Sequence, residues 1–193
     1  MNICVYGAAS KDIDAVFTDA GHELGFKLAK RGHALVFGGG DNGMMGAAAR
    51  GAHDGGGHIT GIAPSFFNID GVLYPLCDEI IYTETMRERK HLLEDKSDGF
   101  IVSPGGIGTF EEFFEILTLK QLGRTDKPIA ILNTEGYYDS LLQMLRHTAK
   151  NRFMSIKNFG LFFVSSSIDD VLDYIESPDP IDFDINELRH LNK

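Results

Sequence analysis

Short aliphatic runs alternate with longer helical patterns along nearly the whole chain, and this alternation limits the folds open to it. The runs that predict strands are residues 3–6, 34–37, 59–63, 79–82, 100–102, 129–132 and 161–164. The patterns that predict helices are residues 15–31, 43–53, 83–96, 110–122, 137–150 and 168–175. Such an order favours a parallel sheet with helices on both faces. We therefore expect an α/β fold with a doubly wound parallel sheet.

The length of the chain fits a single domain with a buried core. At 193 residues one domain is the simplest division, and we place it at residues 1–176. Residues 177–193 are rich in Asp and Pro and show no clear period. They predict a loose C-terminal tail.

Charge and cysteine content exclude several classes of partner and compartment. A net charge of −10 argues against a nucleic-acid or anionic-membrane surface. The two cysteines offer no disulfide framework, which fits a reducing compartment. The N-terminus lacks a signal-like segment, and no apolar run approaches the roughly 20 residues of a membrane span. We expect a cytoplasmic protein without a nucleic-acid or membrane partner.

Two glycine-rich turns, residues 38–46 and residues 103–109, directly follow predicted strands. The carboxyl ends of parallel strands meet at one edge of the sheet, where ligands bind near the topological switch. The second turn opens a helix, and its bared N–H groups together with the helix start make an anion site. Phosphate is the obvious anion. Glu111 and Glu112 follow within one turn, which suggests chemistry on a phosphorylated substrate.

Both turns have a second interpretation. Thr109 and Glu112 match a capping box, and from this segment alone the cap and the functional role weigh about equally. Glu111 and Glu115 fit a solvated helix face better. The first turn contains Gly-x-Gly-x-x-Gly, but it does not follow the first strand and no acid ends the next strand, so a dinucleotide fingerprint is disfavoured. Its three consecutive glycines favour close approach of a ligand over a turn alone.

A charged segment at residues 86–91 precedes the second turn. Most runs of this kind are exposed helix faces. Arg87, Arg89 and Lys90 are nevertheless placed to balance a phosphate, and arginine can hold phosphate or ribose oxygens with two prongs. The seven histidines show no ligand spacing, so we expect no metal.

Taken together, these motifs resemble the LONELY GUY family of cytokinin-activating nucleoside 5′-monophosphate phosphoribohydrolases, long labelled lysine decarboxylases. The resemblance rests on GGGxxGMMG at residues 38–46, Arg89-Lys90 and PGGxGTxxE at residues 104–112. Gln-Leu-Gly at 121–123 and Lys-Pro at 127–128 also match, and the order of elements agrees from about Ile3 to Ile175.

The resemblance implies a Rossmann-like fold, a homodimer, and hydrolysis of the N-glycosidic bond of purine riboside 5′-monophosphates without a cofactor. It places the catalytic pair on Arg89 and Glu112 and the phosphate-holding loop on residues 105–109. With the residue arguments above, the expected substrate- and phosphate-binding residues are Gly39, Gly40, Gly43, Arg89, Lys90, Gly105, Gly106, Ile107, Gly108, Thr109 and Glu111.

The chain departs from the family pattern where the base would be selected. The family's usual Cys-Gly-Ser-Ser after the first strand is here Gly-Ala-Ala-Ser at residues 7–10, and its usual Met-His is here Met86-Arg87. The loop at residues 65–78 is expected to line the site, with Asp70 as its candidate acid. The hydrolytic core is unchanged, and the preferred base stays open.

One alternative belongs to a different functional class. Related Rossmann-like carriers hold molybdenum cofactor on similar glycine-rich loops without hydrolysing anything. The presence of both Arg89 and Glu112 favours an enzyme. Lysine decarboxylation is disfavoured because no lysine lies in a recognisable Schiff-base context.

Overall fold

In the part of the chain that the structure describes, seven strands form one sheet in which every paired neighbour is parallel, in the order β4-β3-β2-β1-β5-β6-β7. The computed structural model describes residues 1–69, 71–181, 183–185 and 188. The strands are β1 (Asn2–Tyr6), β2 (Ala34–Phe37), β3 (Ile59–Pro64), β4 (Glu79–Thr83), β5 (Gly99–Val102), β6 (Ile129–Leu132) and β7 (Phe163–Ser165). The predicted doubly wound α/β fold is confirmed.

Helices cover both faces of the sheet. They are α1 (Ala15–Lys30), α2 (Gly43–Gly55), α3 (Met86–Asp95), α4 (Ile107–Gln121), α5 (Asp139–Lys150) and α6 (Ile168–Glu176). Short 3-10 turns occupy Ser65–Phe67, Thr134–Gly136 and Ile156–Leu161. Among the described residues, no helix combines the length and apolarity needed to cross a membrane.

The alternation of side chains along each strand creates two apolar clusters. Ile3 and Val5 of β1 pack with α1, α2 and α6, whereas Cys4 and Tyr6 pack with α3, α4 and α5. Successive side chains of a strand point to opposite faces, so covering both faces requires apolar residues at every position. This explains why the strands appear in the sequence as unbroken aliphatic runs.

Helices α1 and α2 pack unusually closely through small residues. A Cβ atom placed on Gly25 would lie 1.9 Å from the Ala48 carbonyl oxygen, and one on Gly51 would lie 1.9 Å from the His22 carbonyl oxygen. Only glycine allows the two backbones to come this near. This packing fixes α2, and with it the first glycine-rich turn, against the sheet.

Three boundaries differ from the sequence prediction in an informative way. Helix α4 begins at Ile107, three residues before the predicted start at residue 110, because Gly106 is its N-cap. Strand β7 begins at Phe163 because a 3-10 turn takes up residues 156–161. In the predicted tail, Leu188 is buried, and Ile181, Phe183 and Ile185 pack against the second apolar cluster. The proposed division of the chain at residue 176 stays a prediction.

The topological switch lies between β1 and β5. From β1 the chain builds outward to β4 and then returns to place β5 on the other side of β1. The loops that follow these two strands therefore run in opposite directions and leave a crevice between them, which is where open α/β sheets bind ligands.

Candidate active site

Hydrogen bonds tie the ends of β1 and β5 together at the switch. The Ser103 hydroxyl donates to the Tyr6 carbonyl oxygen at 2.6 Å, and the Ser103 N–H donates to the same oxygen at 2.9 Å. The Ala8 N–H donates to the Pro104 carbonyl oxygen at 3.0 Å. The second glycine-rich turn is thus anchored to a buried strand end before α4 begins.

The N-terminus of α4 offers N–H groups without a side-chain cap. Gly106 is the N-cap, and no described residue makes a side-chain cap hydrogen bond there. The N–H groups of the first turn have no partner within a helix, so they are available to an anion. A Cβ atom on Gly106 or Gly108 would meet no atom within 4 Å, which leaves open space above the turn.

The capping-box interpretation of Thr109 and Glu112 is wrong. Because α4 begins at Ile107, Thr109 lies inside its first turn and is buried. Glu112 lies farther along the helix and pairs with Arg89 instead. The Thr-x-x-Glu spacing has the form of a capping box at a position where the helix has already started.

Two tyrosines after β6 support the second glycine-rich turn from behind. The Tyr137 hydroxyl donates to the Gly105 carbonyl oxygen, and the Tyr138 hydroxyl donates to the Ser103 carbonyl oxygen, each at 2.7 Å. The carbonyl of Gly105 and the N–H of Gly106 belong to one trans peptide and point in opposite directions. Because Tyr137 holds the Gly105 carbonyl, the Gly106 N–H points to the side of the turn away from Tyr137. The sequence prediction missed both tyrosines, since no local pattern marks them.

Arg89 is buried although it lies in the most charged helix of the chain. It is 8% exposed, its Nε donates to the Ile62 carbonyl oxygen at 3.2 Å, and its Nη2 lies 3.2 Å from Glu112 Oε1. The adjacent Arg87 and Glu88 are exposed. The exposed-face interpretation of residues 86–91 is therefore wrong for Arg89, which points inward to the end of β3.

Glu112 is a buried carboxyl group whose pKa lies near neutrality. It is 7% exposed, and burial raises its pKa from 4.5 to about 7, while the Arg89 charge acts in the opposite direction. Burial disfavours the charged form, and the guanidinium offsets only part of that cost. A carboxyl group with this pKa can exchange a proton near neutral pH.

Lys90 and Glu111 lie outside the cavity that holds Arg89 and Glu112. Lys90 Nζ lies 2.8 Å from Glu111 Oε1 and 3.0 Å from Glu115 Oε2, so it links α3 to α4. Both glutamates are largely exposed, as the sequence indicated. Lys90 is thus paired with carboxylates rather than pointing toward the α4 N-terminus.

The glycines of the first glycine-rich turn have separate roles. Gly43 has φ of 61°, and a Cβ atom there would lie 2.4 Å from the Ala8 carbonyl oxygen, so this glycine lets α2 start against the β1–α1 loop. Gly40 lines a cavity and forms an isolated bridge with Leu73. Gly39 has φ of 79°, which L side chains rarely adopt.

A cavity of about 360 Å³ opens at the switch and contains the candidate catalytic pair. Its lining includes Arg89, Glu112, Thr109, Met86 and Phe67. Phe67 belongs to the loop at residues 65–78, so this loop contributes to the cavity. That it lines the functional site stays a prediction. Asp70, the candidate acid of that loop, lies outside the described residues.

Two further cavities adjoin this one. A cavity of about 240 Å³ lies over the first glycine-rich turn, shares Arg89 and Phe67 with it, and has apolar walls from Val72 and Leu73. A cavity of about 380 Å³ lies on the far side of Gly106, lined by Phe17 and Tyr137 among others. Together they leave room for a phosphate at α4 and for a flat apolar group beside Arg89. Within the described part of the chain, no group of three or more His, Cys, Asp or Glu side chains is arranged to hold a metal ion.

Solved structures with the same fold include a molybdenum cofactor binding protein and a Moco carrier protein. The molybdenum cofactor binding protein from the phototrophic bacterium Rippkaea orientalis has a TM-score of 0.68 and 24% identity, with 91% of this chain and 94% of that chain covered. The Moco carrier protein from Chlamydomonas reinhardtii has a TM-score of 0.68 and 23% identity over 91% and 94% of the two chains. At this level of identity the likeness supports the fold alone.

Sequence relatives are considerably closer. Cytokinin riboside 5′-monophosphate phosphoribohydrolase LOG2 of Arabidopsis thaliana is 39% identical over 153 residues, which cover 79% of this chain and 72% of that protein. The probable phosphoribohydrolase LOGL5 of Oryza sativa subsp. japonica is 34% identical over 187 residues, or 97% and 76% of the two chains. The family model described as "Possible lysine decarboxylase" matches residues 45–175. The buried Arg89–Glu112 pair, the open α4 N-terminus and these matches lead to one conclusion: the chain belongs to the LONELY GUY family of phosphoribohydrolases.

Proposed function

We propose that the protein hydrolyses the N-glycosidic bond of purine riboside 5′-monophosphates, of the cytokinin type or AMP, and releases the free base and ribose 5-phosphate. The observation that carries this proposal is the buried Arg89–Glu112 pair on the wall of a cavity that also contains the start of α4. The relatives named as cytokinin riboside 5′-monophosphate phosphoribohydrolases support it.

The 5′-phosphate binds at the N–H groups of residues 105–109. These groups and the helix dipole attract a dianion in a protein whose net charge is −10. Glu112 lies five residues beyond Ile107, or about 7.5 Å along the helix axis. The ribose then extends along the cavity that Glu112 also lines, which brings the reacting bond toward the carboxyl group.

Glu112 acts on the reacting carbon and Arg89 fixes its orientation. Departure of the base builds positive charge on the ribose, and an ionised Glu112 stabilises that charge. The same carboxylate orients or deprotonates the attacking water, whose hydroxyl bonds to the anomeric carbon while the proton ends on the departing base. Arg89, held by the Ile62 carbonyl oxygen, keeps Glu112 in place and contacts ribose or phosphate oxygens. Because the ionised form is needed, activity should rise as the pH passes through the pKa of Glu112, near 7.

A homodimer is part of the proposal. Phe66, Ile69 and Ile107 are exposed apolar side chains, with exposures of 54%, 63% and 87%, and each lies within two residues in sequence of a residue that lines the cavity. A second copy of the chain would cover them, in keeping with the family resemblance. Light scattering of the purified protein gives the oligomeric state. Location in the cytoplasm stays a prediction from the cysteine content and from the lack of a signal-like or membrane-spanning pattern in the sequence.

The test is release of base from AMP and from its N6-isopentenyl analogue, measured by chromatography. Glu112→Gln and Arg89→Ala should each lower kcat by at least about 100-fold, the low end of what a positioned acid–base group contributes. Glu115→Gln, on the exposed side of α4, is the matched control and should retain activity. Full activity in Glu112→Gln would contradict the assignment. Co-purification of a pterin without nucleotide turnover would favour the carrier alternative.

A further inference from the structure

The guanidinium of Arg89 occupies the space where a side chain of residue 38 would lie. A Cβ atom built on Gly38 would be 2.1 Å from Arg89 Nη2 and 3.2 Å from Arg89 Cζ. The Met45 sulfur lies 3.2 Å from the same point and closes the other side. A methyl group and the guanidinium cannot both occupy this volume.

Arg89 has little freedom to move aside. Its Nε donates to the Ile62 carbonyl oxygen and its Nη2 contacts Glu112, and the residue is buried. A shift large enough to admit a Cβ atom would break at least one of these contacts. A Cβ atom at residue 38 would therefore change the orientation of the Arg89 guanidinium, because this side chain is held in place and is not free to move into solvent.

The requirement for glycine at this position is steric and not conformational. Gly38 is absent from the glycines with positive φ, whereas its neighbour Gly39 is among them with φ of 79°. An alanine at position 38 therefore meets no backbone penalty of that kind. Any change that Gly38→Ala causes in activity or in the Glu112 titration would come from the steric contact with Arg89.

We propose that Gly38 is a positioning residue for the hydrolysis, and that it acts by leaving the space in which Arg89 reaches both the end of β3 and Glu112. The inference rests on the proposed function for its catalytic consequence and on geometry for the contact. It gives the first residue of the glycine-rich turn after β2 a role toward the catalytic pair. The sequence had indicated close approach of a ligand at this turn.

Displacement of Arg89 changes the ionisation of Glu112 in a defined direction. Burial raises the pKa of Glu112, and Arg89 is the leading influence that lowers it. The titratable groups that act on Glu112 or respond to it are Cys4 and Tyr6 from β1, Arg89 and Lys90 from α3, and Glu111 and Glu115 from α4. Arg89 and Lys90 are the cations of this set, and Lys90 is held by Glu111 and Glu115. Without Arg89 nearby, the pKa of Glu112 rises above about 7.

The experiment compares Gly38→Ala with the wild-type protein in two readouts. Carboxyl ¹³C NMR, assigned with Glu112→Gln, follows the titration of Glu112 without any need for turnover. Base release from AMP as a function of pH follows the consequence for activity. We expect the Glu112 titration and the rise of kcat/KM to move at least about one pH unit upward, which lowers the ionised fraction of Glu112, and with it the activity at pH 7, at least about fivefold.

Two further variants make the result decisive. Gly38→Ala combined with Arg89→Ala removes the clash, and the methyl group should then add nothing to the loss caused by Arg89→Ala. Gly99→Ala places a Cβ atom 3.1 Å from side-chain atoms of Ile175 and Pro128, at the start of β5 and so at the amino ends of the strands. It should cost stability and leave both titrations unchanged.

An unchanged Glu112 titration in Gly38→Ala would overturn the inference. So would an equal loss of activity from the methyl group in the presence and absence of Arg89. If the wild-type protein releases no base and the Glu112 titration still moves in Gly38→Ala, the proposed function fails and the positioning of Arg89 by Gly38 stands.

Discussion

The free energy of unfolding of Glu112→Gln, measured relative to that of the wild-type protein, should increase as the pH rises. Burial raises the pKa of Glu112 from 4.5 to about 7, so folding favours the protonated carboxyl group. A group whose pKa is higher in the folded than in the unfolded state contributes to the stability of the fold. This contribution is fully present below the unfolded-state pKa and is lost as the pH rises through the folded-state pKa. Glutamine resembles the protonated form and does not titrate.

The size of the effect follows from the two pKa values. Each pH unit of difference corresponds to about 1.4 kcal/mol, so ionisation of Glu112 costs the folded state about 3 kcal/mol once the pH is well above 7. Most of this, about 2–3 kcal/mol, develops between about pH 5 and pH 8. The residue is buried, so solvent screens the effect little.

The measurement is urea-induced unfolding of wild type and Glu112→Gln at several pH values, analysed as the difference in free energy of unfolding. We expect this difference to shift in favour of Glu112→Gln by about 2–3 kcal/mol from about pH 5 to pH 8. Glu115→Gln removes an exposed carboxylate of the same helix and should give a nearly flat difference. A flat difference for Glu112→Gln, or one that favours wild type as the pH rises, would show that Arg89 outweighs burial and would refute the reasoning.

Three further substitutions test other parts of the structure. Tyr137→Phe loses the hydrogen bond to Gly105 and should raise KM for a nucleoside monophosphate about fivefold with little change in kcat, since one hydrogen bond is worth about 1 kcal/mol. Burial lowers the pKa of Lys120 to about 8, so the stability gained by Lys120→Met relative to wild type should shrink as the pH rises from about 8 to 10, as unfolding at each pH will measure. Gly25→Ala forces a methyl group onto the Ala48 carbonyl and should cost about 2 kcal/mol or more, seen as a lower melting temperature.

Each of these substitutions has a matched control elsewhere in the chain. Tyr174→Phe, far from the α4 N-terminus in sequence, should leave KM unchanged. Lys150→Met and Asp19→Ala alter exposed positions and should change stability by less than about 0.5 kcal/mol. A fall in kcat without a change in KM for Tyr137→Phe, a pH-independent difference for Lys120→Met, or an unchanged melting temperature for Gly25→Ala would contradict the respective explanation.

The elements of the fold could be predicted from the sequence because their patterns are local. Strands buried on both faces need continuous aliphatic runs, as in β2 and β6, whose predicted bounds agree with the structure. The start of α4 was misplaced because Gly106, a residue without a side-chain acceptor, is its N-cap. The Thr109-x-x-Glu112 spacing matches a capping box and so predicted a helix start three residues later, at residue 110.

The site was predictable as a set of motifs but not as a geometry. Arg89 and Arg87 are indistinguishable by charge, and only the fold shows that Arg89 reaches the Ile62 carbonyl. Tyr137 lies 32 residues from Gly105 in sequence and becomes its neighbour because β5 and β6 pair in the sheet. The two partners of each contact lie 27 and 32 residues apart in sequence, which is farther than a helix or strand motif reaches.

The sequence by itself determined the α/β class, the strand ends at which a ligand is expected, and the two glycine-rich turns, because periodicity and backbone freedom are properties of short segments. The tertiary structure alone decided that Glu112 is buried, that its pKa lies near 7, and that Gly38 provides the space for Arg89. These depend on distances between β2, α3 and α4, and such distances exist only once the sheet has brought the three elements together. The predicted helix cap thereby became a buried carboxyl group paired with an arginine beside the candidate phosphate site.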